Sequence, residues 1–364
     1  MELEHLWITD FRNYATADLE PAPAGLTVVV GGNGEGKTNL LEAVGVLATL
    51  RSFRGAPGEA LVRAGAEAGV VRAEGRRDGR LLLIEAELHR SGRDRVQVNR
   101  QPLRRAKDLL GALQVTVFSP DDLDLVKGGP ASRRRYLDEL LVSLHPRHDA
   151  TQAEIERVLR QRNALLRQAG GRATPEVVAT LDVWDTKFAA AGEALTAARL
   201  GLIAALQPLV TDAYARVAAA TRLRGGPTTV GLAHQASWQG SLAEALVAAR
   251  QEDLRRGMTT VGPHRDELGC WIGDLPARTH ASQGEQRTLA LGLRLGGHRL
   301  VAARVGSPPI LLLDDVFSEL DDERSAALLD VLPAGQAILT TAGLPPPAAR
   351  PARVVRVESG KLLA

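Results

Sequence analysis

The sequence predicts an α/β fold in which a head of mixed sheets is split by an inserted, mainly helical lobe. Three observations support this prediction. A glycine-rich run at 31–38 follows an apolar strand and precedes a helix. Strand and helix patterns alternate in the first 122 residues and again after residue 258. Residues 123–257 have helical spacing instead, and no heptad pattern persists long enough for a long coiled coil.

The chain is accordingly divided into 1–122 and 258–364, the two parts of the head, and 123–257, the lobe. In the head we expect strands at 3–8, 26–30, 81–89, 95–98, 115–118, 259–262, 267–272, 310–314, 336–341 and 353–357. Helices are expected at 38–50, from 282 and from 321. In the lobe, the Ala-rich stretch 176–221 predicts one long helix or two, with a kink or break at Pro208.

Composition favours a soluble cytoplasmic protein with no membrane partner. The formal net charge is +2 and Cys270 is the one cysteine, which excludes an internal disulfide framework. The first residues are acidic and lack a cleavage signal, and no apolar run approaches the roughly 20 residues of a membrane span. Arginine greatly outnumbers lysine, yet lysine stands at position 37, where a compact ammonium suits a phosphate.

The run at 31–38 fits the phosphate-binding P-loop pattern through Gly31, Gly36, Lys37 and Thr38. Backbone N–H groups of such a loop bind phosphate oxygens, and the start of the following helix adds partial positive charge. We expect Lys37 to reach the β- and γ-phosphates and Thr38 to ligate Mg²⁺. A simple glycine-rich turn is the alternative interpretation.

The apolar strand at 310–313 ends in Asp314 and Asp315. The carboxyl end of a buried parallel strand is where α/β sheets hold ligands, so Asp314 is expected near Mg²⁺. Asp315 occupies the place of the carboxylate that polarises the attacking water in nucleotide hydrolases of this type. That residue is usually glutamate, and a side chain shorter by one methylene predicts slow hydrolysis. The alternative is that the pair only caps a turn.

The run ASQGEQ at 281–286 looks like the signature motif of ABC-type ATPases. Ser282 suits the N-cap of the next helix, and Gly284 permits a close approach to a phosphate. In ABC-type ATPases this motif binds the nucleotide held by the opposite subunit, so Ser282, Gly284 and Glu285 predict a dimer. Asp321, in the run SELD, resembles the D-loop at the dimer seam. The alternative is an ordinary capping box of Ser282 and Glu285.

Several longer runs resemble the RecF family, the recombination mediators among the SMC-like ABC ATPases. They are FRNY at 11–14, NGEGKTNLLEA at 33–43, SFR at 52–54, FSPDDL at 118–123, GGPASRRRYLDE at 128–139 and VGPHRDEL at 261–268. The last run is the most distinctive, because generic ABC ATPases lack it. The resemblance implies an SMC-like ABC ATPase head, in which Asn33, Gly34 and Asn39 also bind ATP.

The resemblance further implies a weak ATPase that binds double-stranded DNA as an ATP-dependent homodimer. It would act with RecO and RecR to load RecA at gapped DNA, in replication-linked repair and the SOS response. Two loops depart from transporter-type ATPases. FSPDD at 118–122 lacks the lid glutamine and LTTAG at 339–343 lacks the histidine after the last core strand. The missing histidine again predicts slow turnover.

Arginine clusters are the candidate DNA contacts, because cations neutralise phosphates without reading sequence. They are Arg133 to Arg135, then Arg76, Arg77 and Arg80, then Arg90, Arg93 and Arg95. Solvated ion pairs are the alternative for each cluster. The low aromatic content, 3%, disfavours a stacking platform for single strands. The run of Gly262, Pro263, His264 and Arg265 would sense nucleotide, contact a partner or only form a turn.

Three other functions remain open from the residues. An ABC transporter motor is usually shorter between P-loop and signature and lacks VGPHRD. A DNA-binding scaffold with a decayed ATPase conflicts with the intact set of Lys37, Thr38, Ser282 and Asp314. Other SMC-like end-processing ATPases carry much longer coiled coils between the halves of the head.

Overall fold

The computed structural model describes residues 2–77, 79–220, 229–317 and 322–363. The chain forms two compact units. The first comprises Met1–Asp122, Asp212–Gly226 and Thr288–Ala364, and the second comprises Leu123–Thr211 and Pro227–Arg287. The second unit thus begins where the lobe was expected to begin, but it runs on to Arg287 and leaves out 212–226. The division at 122 and 257 into head and lobe stays a prediction.

The strands and helices are numbered here in the order of the sequence. The strands are β1 (Glu2–Phe11), β2 (Tyr14–Leu19), β3 (Gly25–Val30), β4 (Ala68–Arg77), β5 (Arg80–His89), β6 (Arg95–Val98), β7 (Gln101–Pro102), β8 (Val115–Phe118), β9 (Val230–Gln235), β10 (Glu267–Ile272), β11 (Leu275–Pro276), β12 (Ile310–Asp314), β13 (Gln336–Thr341), β14 (Arg353–Glu358) and β15 (Lys361–Leu363). The helices are α1 (Lys37–Thr49), α2 (Pro130–Leu144), α3 (Arg147–Ala169), α4 (Pro175–Ala220), α5 (Leu242–Arg256), α6 (Ala277–His280), α7 (Gln283–Val305) and α8 (Asp322–Val331).

The first unit contains two sheets. One is antiparallel, in the order β2-β1-β4-β5-β6-β7. In the other, β14, β3, β13, β12 and β8 run parallel, and β15 pairs antiparallel with β14. α1 shares one core with both sheets: its Leu40 and Val44 cluster with Leu6 of β1 and Ile338 of β13. This mixed α/β architecture agrees with the predicted fold class.

The strand β12 shows why the apolar run ILLL forms a central strand. All five of its residues are buried. Leu312 packs into the core shared with α1, while Leu311 and Leu313 pack into a second core with Leu295 of α7. A strand covered on both faces needs a continuous apolar run, not an alternating one. Its neighbours β13 and β8 run parallel to it, so the carboxyl ends of all three strands, including the end of β12 at Asp314, lie at the same edge of the sheet.

The second unit combines helices α2, α3 and α5 and most of α4 with an antiparallel sheet in the order β11-β10-β9. Its interior contains an ion-pair network. Arg162 of α3 is fully buried and donates to Asp185 of α4 at 2.6 Å and to Asp253 of α5 at 2.7 Å. Buried charges require such partners, and these contacts connect three helices of the unit.

One sequence-based expectation about an element was wrong. Residues 259–262 form no strand. Asp253 accepts bonds from the Thr260 N–H and hydroxyl, at 2.8 and 2.6 Å, and Thr259 N–H donates to Asn163. These bonds to side chains replace a strand ladder.

The Ala-rich stretch forms one long helix, α4, which is one of the two expected outcomes, and the helix continues through Pro208. A proline removes one intrahelical bond, and its buried neighbours Leu206 and Val210 keep the helix packed.

The helix α4 is the one candidate membrane span within the part of the chain that the structure describes. It meets length and composition criteria over Pro175–Ala219, with a hydropathy of 1.4. This is weak evidence, because core helices of soluble proteins meet the same criteria. The same helix carries buried Asp185 and Arg199, which pair with Arg162 of α3 and Asp138 of α2.

Candidate functional site

The candidate phosphate-binding loop connects β3 to α1 and depends on glycines at two positions. Gly36 has a φ of 116°, in the region that side chains rarely adopt. A Cβ at Gly31 would lie 2.4 Å from the Val357 carbonyl oxygen of β14. The loop therefore follows the neighbouring strand too closely for a larger residue at 31. Asn33 and Gly34 lie exposed in the same loop.

Lys37, Thr38 and Asp314 come together where β3 and β12 end. The buried Lys37 folds back, and its Nζ donates to the Gly32 carbonyl at 2.8 Å. Thr38 Oγ1 donates to Asp314 Oδ1 at 2.8 Å, although 276 residues separate them. An ammonium, a hydroxyl and a carboxylate thus converge beside the loop.

The environment of Asp314 includes a residue that the sequence analysis missed. Thr340 of β13 donates its hydroxyl to Asp314 Oδ1 at 2.8 Å and accepts from the Asp315 N–H at 3.0 Å. Burial raises the pKa of Asp314, and the bonds from Thr340 and Thr38 oppose that rise. Asp315 is half-buried with a φ of 50°. The sequence analysis considered LTTAG only for its missing histidine. The one feature that could have indicated a role for Thr340 is its position at the end of a predicted strand, β13, which the structure places beside β12.

A second missed group lies around the start of α1. The fully buried Glu42 accepts from Arg12 Nε and Nη2, at 2.6 and 2.7 Å, and from the Ser52 hydroxyl. Arg54, two residues after Ser52, donates to Asn39 Oδ1 at 3.3 Å. The runs FRNY and SFR, which carried family resemblance, therefore support the start of the same helix.

Asn13 and Tyr14 of FRNY contact the phosphate-binding loop directly. Asn13 Nδ2 donates to the Glu35 carbonyl at 2.9 Å, and its Oδ1 accepts from Asn39 at 2.8 Å. The Tyr14 hydroxyl donates to the Gly36 carbonyl at 3.0 Å. Burial raises the pKa of Tyr14, so it stays a protonated donor.

The signature run begins α7 within the second unit. Glu285 N–H donates to Ser282 Oγ at 3.3 Å, and Ser282 N–H and hydroxyl donate to Glu285 Oε2, each at 2.8 Å. This is the capping box that the sequence analysis held as the alternative. Ser282 and Gly284 are exposed, so the helix start is accessible to solvent. Asp321 and the rest of the SELD run lie outside the described residues.

The arginine run at 133–135 was the densest candidate for DNA binding, and two of its members have structural partners instead. Arg133 is buried and forms a bidentate pair with Glu267 of β10, at 2.7 and 2.9 Å. Arg134 donates to the Asp266 carbonyl at 2.6 Å. α2 places these side chains toward β10, while Arg135 is exposed. For Arg133 and Arg134 these contacts favour the alternative of ion pairs and structural bonds, and Arg135 stays a candidate for DNA contact.

In the other two clusters, several arginines have protein partners. Arg76 pairs with Glu4 at 2.9 Å, Arg77 donates to the Gly111 carbonyl at 2.6 Å, and Arg90 donates to the carbonyls of Arg63 and Ala66. Arg76 and Arg90 are nevertheless exposed, as are Arg80, Arg93 and Arg95, the last of which lies 3.7 Å from Glu87. The five exposed arginines of these two clusters therefore remain candidates for phosphate contacts.

The distinctive run at 261–268 forms a turn over residues 261–265 and then enters β10. Gly262 has a φ of 125°, and the Pro263 carbonyl accepts from Arg199 at 2.8 Å. The His264 ring contacts Phe188 edge-on at 5.7 Å, and its Nε2 lies 3.2 Å from the Thr259 carbonyl. Burial lowers the pKa of His264 to about 4, so the ring is neutral near pH 7. These contacts favour the turn-forming interpretation of the run.

Comparisons with known proteins identify relatives over nearly the whole chain. A family model described as the RecF/RecN/SMC N terminal domain matches residues 2–342. The chain is 45% identical over 354 residues to the DNA replication and repair protein RecF of Streptomyces avermitilis, with 94% of each chain covered. It is 44% identical over 365 residues to the RecF protein of Frankia alni, again with 94% of each covered.

Solved structures agree with that relationship. The chain is similar to a structure of the recombination mediator protein RecF-ATPrS in the RecFOR pathway, with a TM-score of 0.89, 27% identity, and 99% and 97% of the two chains covered. An Smc head domain from Pyrococcus furiosus matches with a TM-score of 0.56 at 16% identity, covering 100% and 96%, which shows the shared fold alone. This protein belongs to the RecF family within the RecF/RecN/SMC group.

Proposed function

We propose that this protein binds Mg-ATP at the loop between β3 and α1 and uses it to form a DNA-binding dimer in DNA repair. The observation that carries the proposal is the hydrogen bond from Thr38 to Asp314 at 2.8 Å, beside Lys37. This bond joins the glycine-rich loop and the strand with two aspartates, which are distant in the sequence and would form the two halves of a nucleotide site. The names of the relatives, RecF-ATP and DNA replication and repair protein, support ATP and repair as the context.

The residues at the site fit a magnesium nucleotide. Mg²⁺ prefers hard oxygen ligands and keeps several waters, so the Thr38 hydroxyl and the Asp314 carboxylate would hold it together with phosphate oxygens. The bound ion would neutralise charge on the phosphates. Lys37 now donates to the Gly32 carbonyl, and a phosphate oxygen would replace that weaker, uncharged acceptor.

Hydrolysis is assigned to Asp315, which would orient the attacking water as a base. Its side chain is half-buried and adjacent to the buried Asp314. The aspartate is one methylene shorter than the usual glutamate. The run LTTAG, which contains Thr340, also lacks the histidine that transporter-type ATPases carry after the last core strand. We therefore propose slow turnover, so that ATP acts as a conformational switch and hydrolysis returns the dimer to monomers.

The signature run supports a site completed by a second copy. Ser282 and Gly284 are exposed at the start of α7, where free N–H groups and the partial positive charge favour an anion. The proposed dimer places Ser282, Gly284 and Glu285 of each copy against the nucleotide of the other. Duplex DNA, RecO and RecR are the proposed partners, with loading of RecA at gapped DNA as the outcome.

Light scattering with and without Mg-ATP tests the switch. The wild type should change from monomer to dimer with Mg-ATP and then hold short duplex DNA more tightly. Lys37→Met should lose the dimer because it removes the cation that binds the phosphates. Ser282→Arg should still bind ATP but stay monomeric, since the larger side chain would lie in the interface.

Ser241→Arg is the matched control, because Ser241 caps α5 in the same way, accepting from Glu244 N–H at 3.2 Å. This variant loses a comparable cap, so it should dimerise like the wild type. A wild type that stays monomeric under every condition contradicts the switch. Normal dimerisation of Ser282→Arg contradicts the assignment of the signature to the opposite subunit.

A further inference from the structure

Two hairpin turns outside the phosphate-binding loop contact its backbone. The first joins β1 to β2 through Arg12 and Asn13, since Phe11 pairs with Tyr14. The second joins β14 to β15 through Ser359 and Gly360, since Glu358 pairs with Lys361. Both turns contain residues with positive φ, 54° at Arg12 and 72° at Gly360. Tight turns of this kind have few accessible conformations, so their polar groups are well fixed.

Both turns donate hydrogen bonds to one carbonyl of the loop. The Glu35 carbonyl accepts from Asn13 Nδ2 at 2.9 Å and from Gly360 N–H at 3.0 Å. The Glu35 carboxylate also accepts from Ser359 N–H. The next carbonyl, that of Gly36, accepts from the Tyr14 hydroxyl at 3.0 Å and from Leu40 N–H at 3.1 Å. Each of these consecutive carbonyls is therefore held by two donors.

The planarity of the peptide bond gives these contacts a consequence for the nucleotide. In a trans peptide, the C=O of one residue and the N–H of the next point in opposite directions. Because Asn13 and Gly360 of the two hairpins bind the Glu35 carbonyl, the Gly36 N–H points away from the hairpins. Holding the Gly36 carbonyl does the same for the Lys37 N–H. Both N–H groups therefore face the side where a phosphate would bind.

We propose that Asn13, Tyr14 and Gly360 are positioning residues that orient the Gly36 and Lys37 N–H groups for phosphate before nucleotide binds. This inference rests on the proposed nucleotide site and adds how that site is prepared. Preorganised donors lose less conformational entropy on binding, so affinity rises without a direct contact. The close packing agrees with this role. A Cβ at Gly360 would lie 2.6 Å from the Asn13 carbonyl oxygen, and one at Gly36 would lie 2.6 Å from Asn13 Nδ2.

Tyr14→Phe is the sharpest test, because it removes one hydroxyl and keeps the buried ring. We expect the affinity for Mg-ADP, measured by calorimetry, to fall about 3- to 10-fold, the usual effect of one net hydrogen bond. Gly360→Ala should weaken ADP by at least as much, since its methyl group meets the Asn13 backbone. Tyr214→Phe removes another buried tyrosine hydroxyl from the same unit and should bind ADP like the wild type.

A spectroscopic measurement separates positioning from general destabilisation. The chain has five lysines, at 37, 107, 127, 187 and 361, so ¹⁵N-lysine labelling gives few backbone amide signals. In ligand-free Tyr14→Phe, the Lys37 signal should shift or broaden while the signals of Lys107, Lys127 and Lys187 stay in place. In Tyr214→Phe, the Lys37 signal should not move.

The inference is overturned if Tyr14→Phe binds ADP with wild-type affinity and leaves the Lys37 signal unchanged. A lower melting temperature with unchanged affinity would have the same meaning, because the hydroxyl would then only stabilise the fold. The two proposals can fail separately. A wild type that binds Mg-ADP and never dimerises with Mg-ATP contradicts the proposed switch, while the Tyr14→Phe comparison still decides the positioning role.

Discussion

Asp314 illustrates how hydroxyl groups from distant parts of the chain set the state of one carboxylate. Burial raises its pKa, whereas hydrogen bonds from Thr340 and Thr38 favour the ionised form. The same hydroxyl of Thr340 binds the backbone of Asp315 at 3.0 Å. A single threonine thus connects the candidate metal ligand to the candidate water-orienting residue. A change at Thr340 would disturb both positions at once.

His298 of α7 gives a pH dependence whose sign can be worked out. It is 2% exposed, and its Nδ1 lies 3.1 Å from Thr116 Oγ1. Burial lowers its pKa from 6.5 to about 4, so the folded state keeps the ring neutral. Between pH 6.5 and 4 the unfolded chain binds the proton and the folded chain does not. Stability is therefore lost as pH falls through this window.

The expected loss from His298 between pH 7.5 and pH 5 is about 2 kcal/mol in the free energy of unfolding. Urea denaturation at the two pH values measures it. His298→Gln should reduce the difference between the two pH values by that amount, whatever its effect at pH 7.5. His145→Gln, at an exposed position, should keep the wild-type difference. An unchanged difference in His298→Gln would contradict the assignment.

At the scale of elements, α2 explains why a run of like charges is not a uniform surface. Consecutive helical residues are about 100° apart around the axis, so neighbours in sequence face different surroundings. Arg133 lies buried against Glu267 and also donates to the Leu125 and Gly128 carbonyls, at 3.1 Å each. Arg135 is exposed on the same helix. The same residue type therefore has a structural role at one position and is accessible to DNA at another.

The two arginines of α2 should respond differently to replacement by alanine. Arg133→Ala leaves the Glu267 carboxylate without its main partner and should lower the free energy of unfolding by about 3 kcal/mol. Arg135→Ala should change it by less than about 0.5 kcal/mol. Chemical denaturation measures both. Equal, small effects would mean that the buried pair contributes nothing, and a double variant of Arg133 and Glu267 would then show no coupling.

For the whole molecule, the near-neutral net charge of +2 means that the proposed DNA affinity would have to come from local clusters. Within the three clusters, the candidates that remain after burial is taken into account are the exposed arginines at 76, 80, 90, 93, 95 and 135. Each phosphate that such a residue neutralises releases counterions, so affinity depends on salt and not on base sequence.

Duplex affinity in the presence of Mg-ATP should therefore fall steeply with salt. If about four phosphates are neutralised, the loss between 50 and 200 mM salt is roughly hundredfold. Fluorescence anisotropy with labelled duplexes of two unrelated sequences measures it. Arg93→Ala or Arg135→Ala should each reduce the salt slope by about one if that side chain binds a phosphate. A flat salt profile would count against phosphate contacts altogether.

The predictions that succeeded are those in which short-range pattern and backbone chemistry decide the structure. The apolar run ILLL and the run LTVVV formed strands, and residues 31–36 formed the loop that leads into α1 at Lys37. By contrast, the threonines at 259 and 260 are as suitable for a strand as for a turn. Side chains from α3 and α5 decided between the two.

The sequence by itself therefore determined the family, the α/β class, and which runs form the loop after β3 and the strand with two aspartates. The loop and the strand each depend on residues close together in the sequence, whose spacing reflects local geometry. The tertiary structure alone decided that Thr340 binds Asp314, that Arg133 is buried, and that Asn13, Tyr14 and Gly360 hold the loop. These contacts join residues far apart in the chain. For Thr340 and Asp314, the cause is that β12 and β13 are neighbours in the parallel sheet, and for Arg133 it is the packing of α2 beside β10.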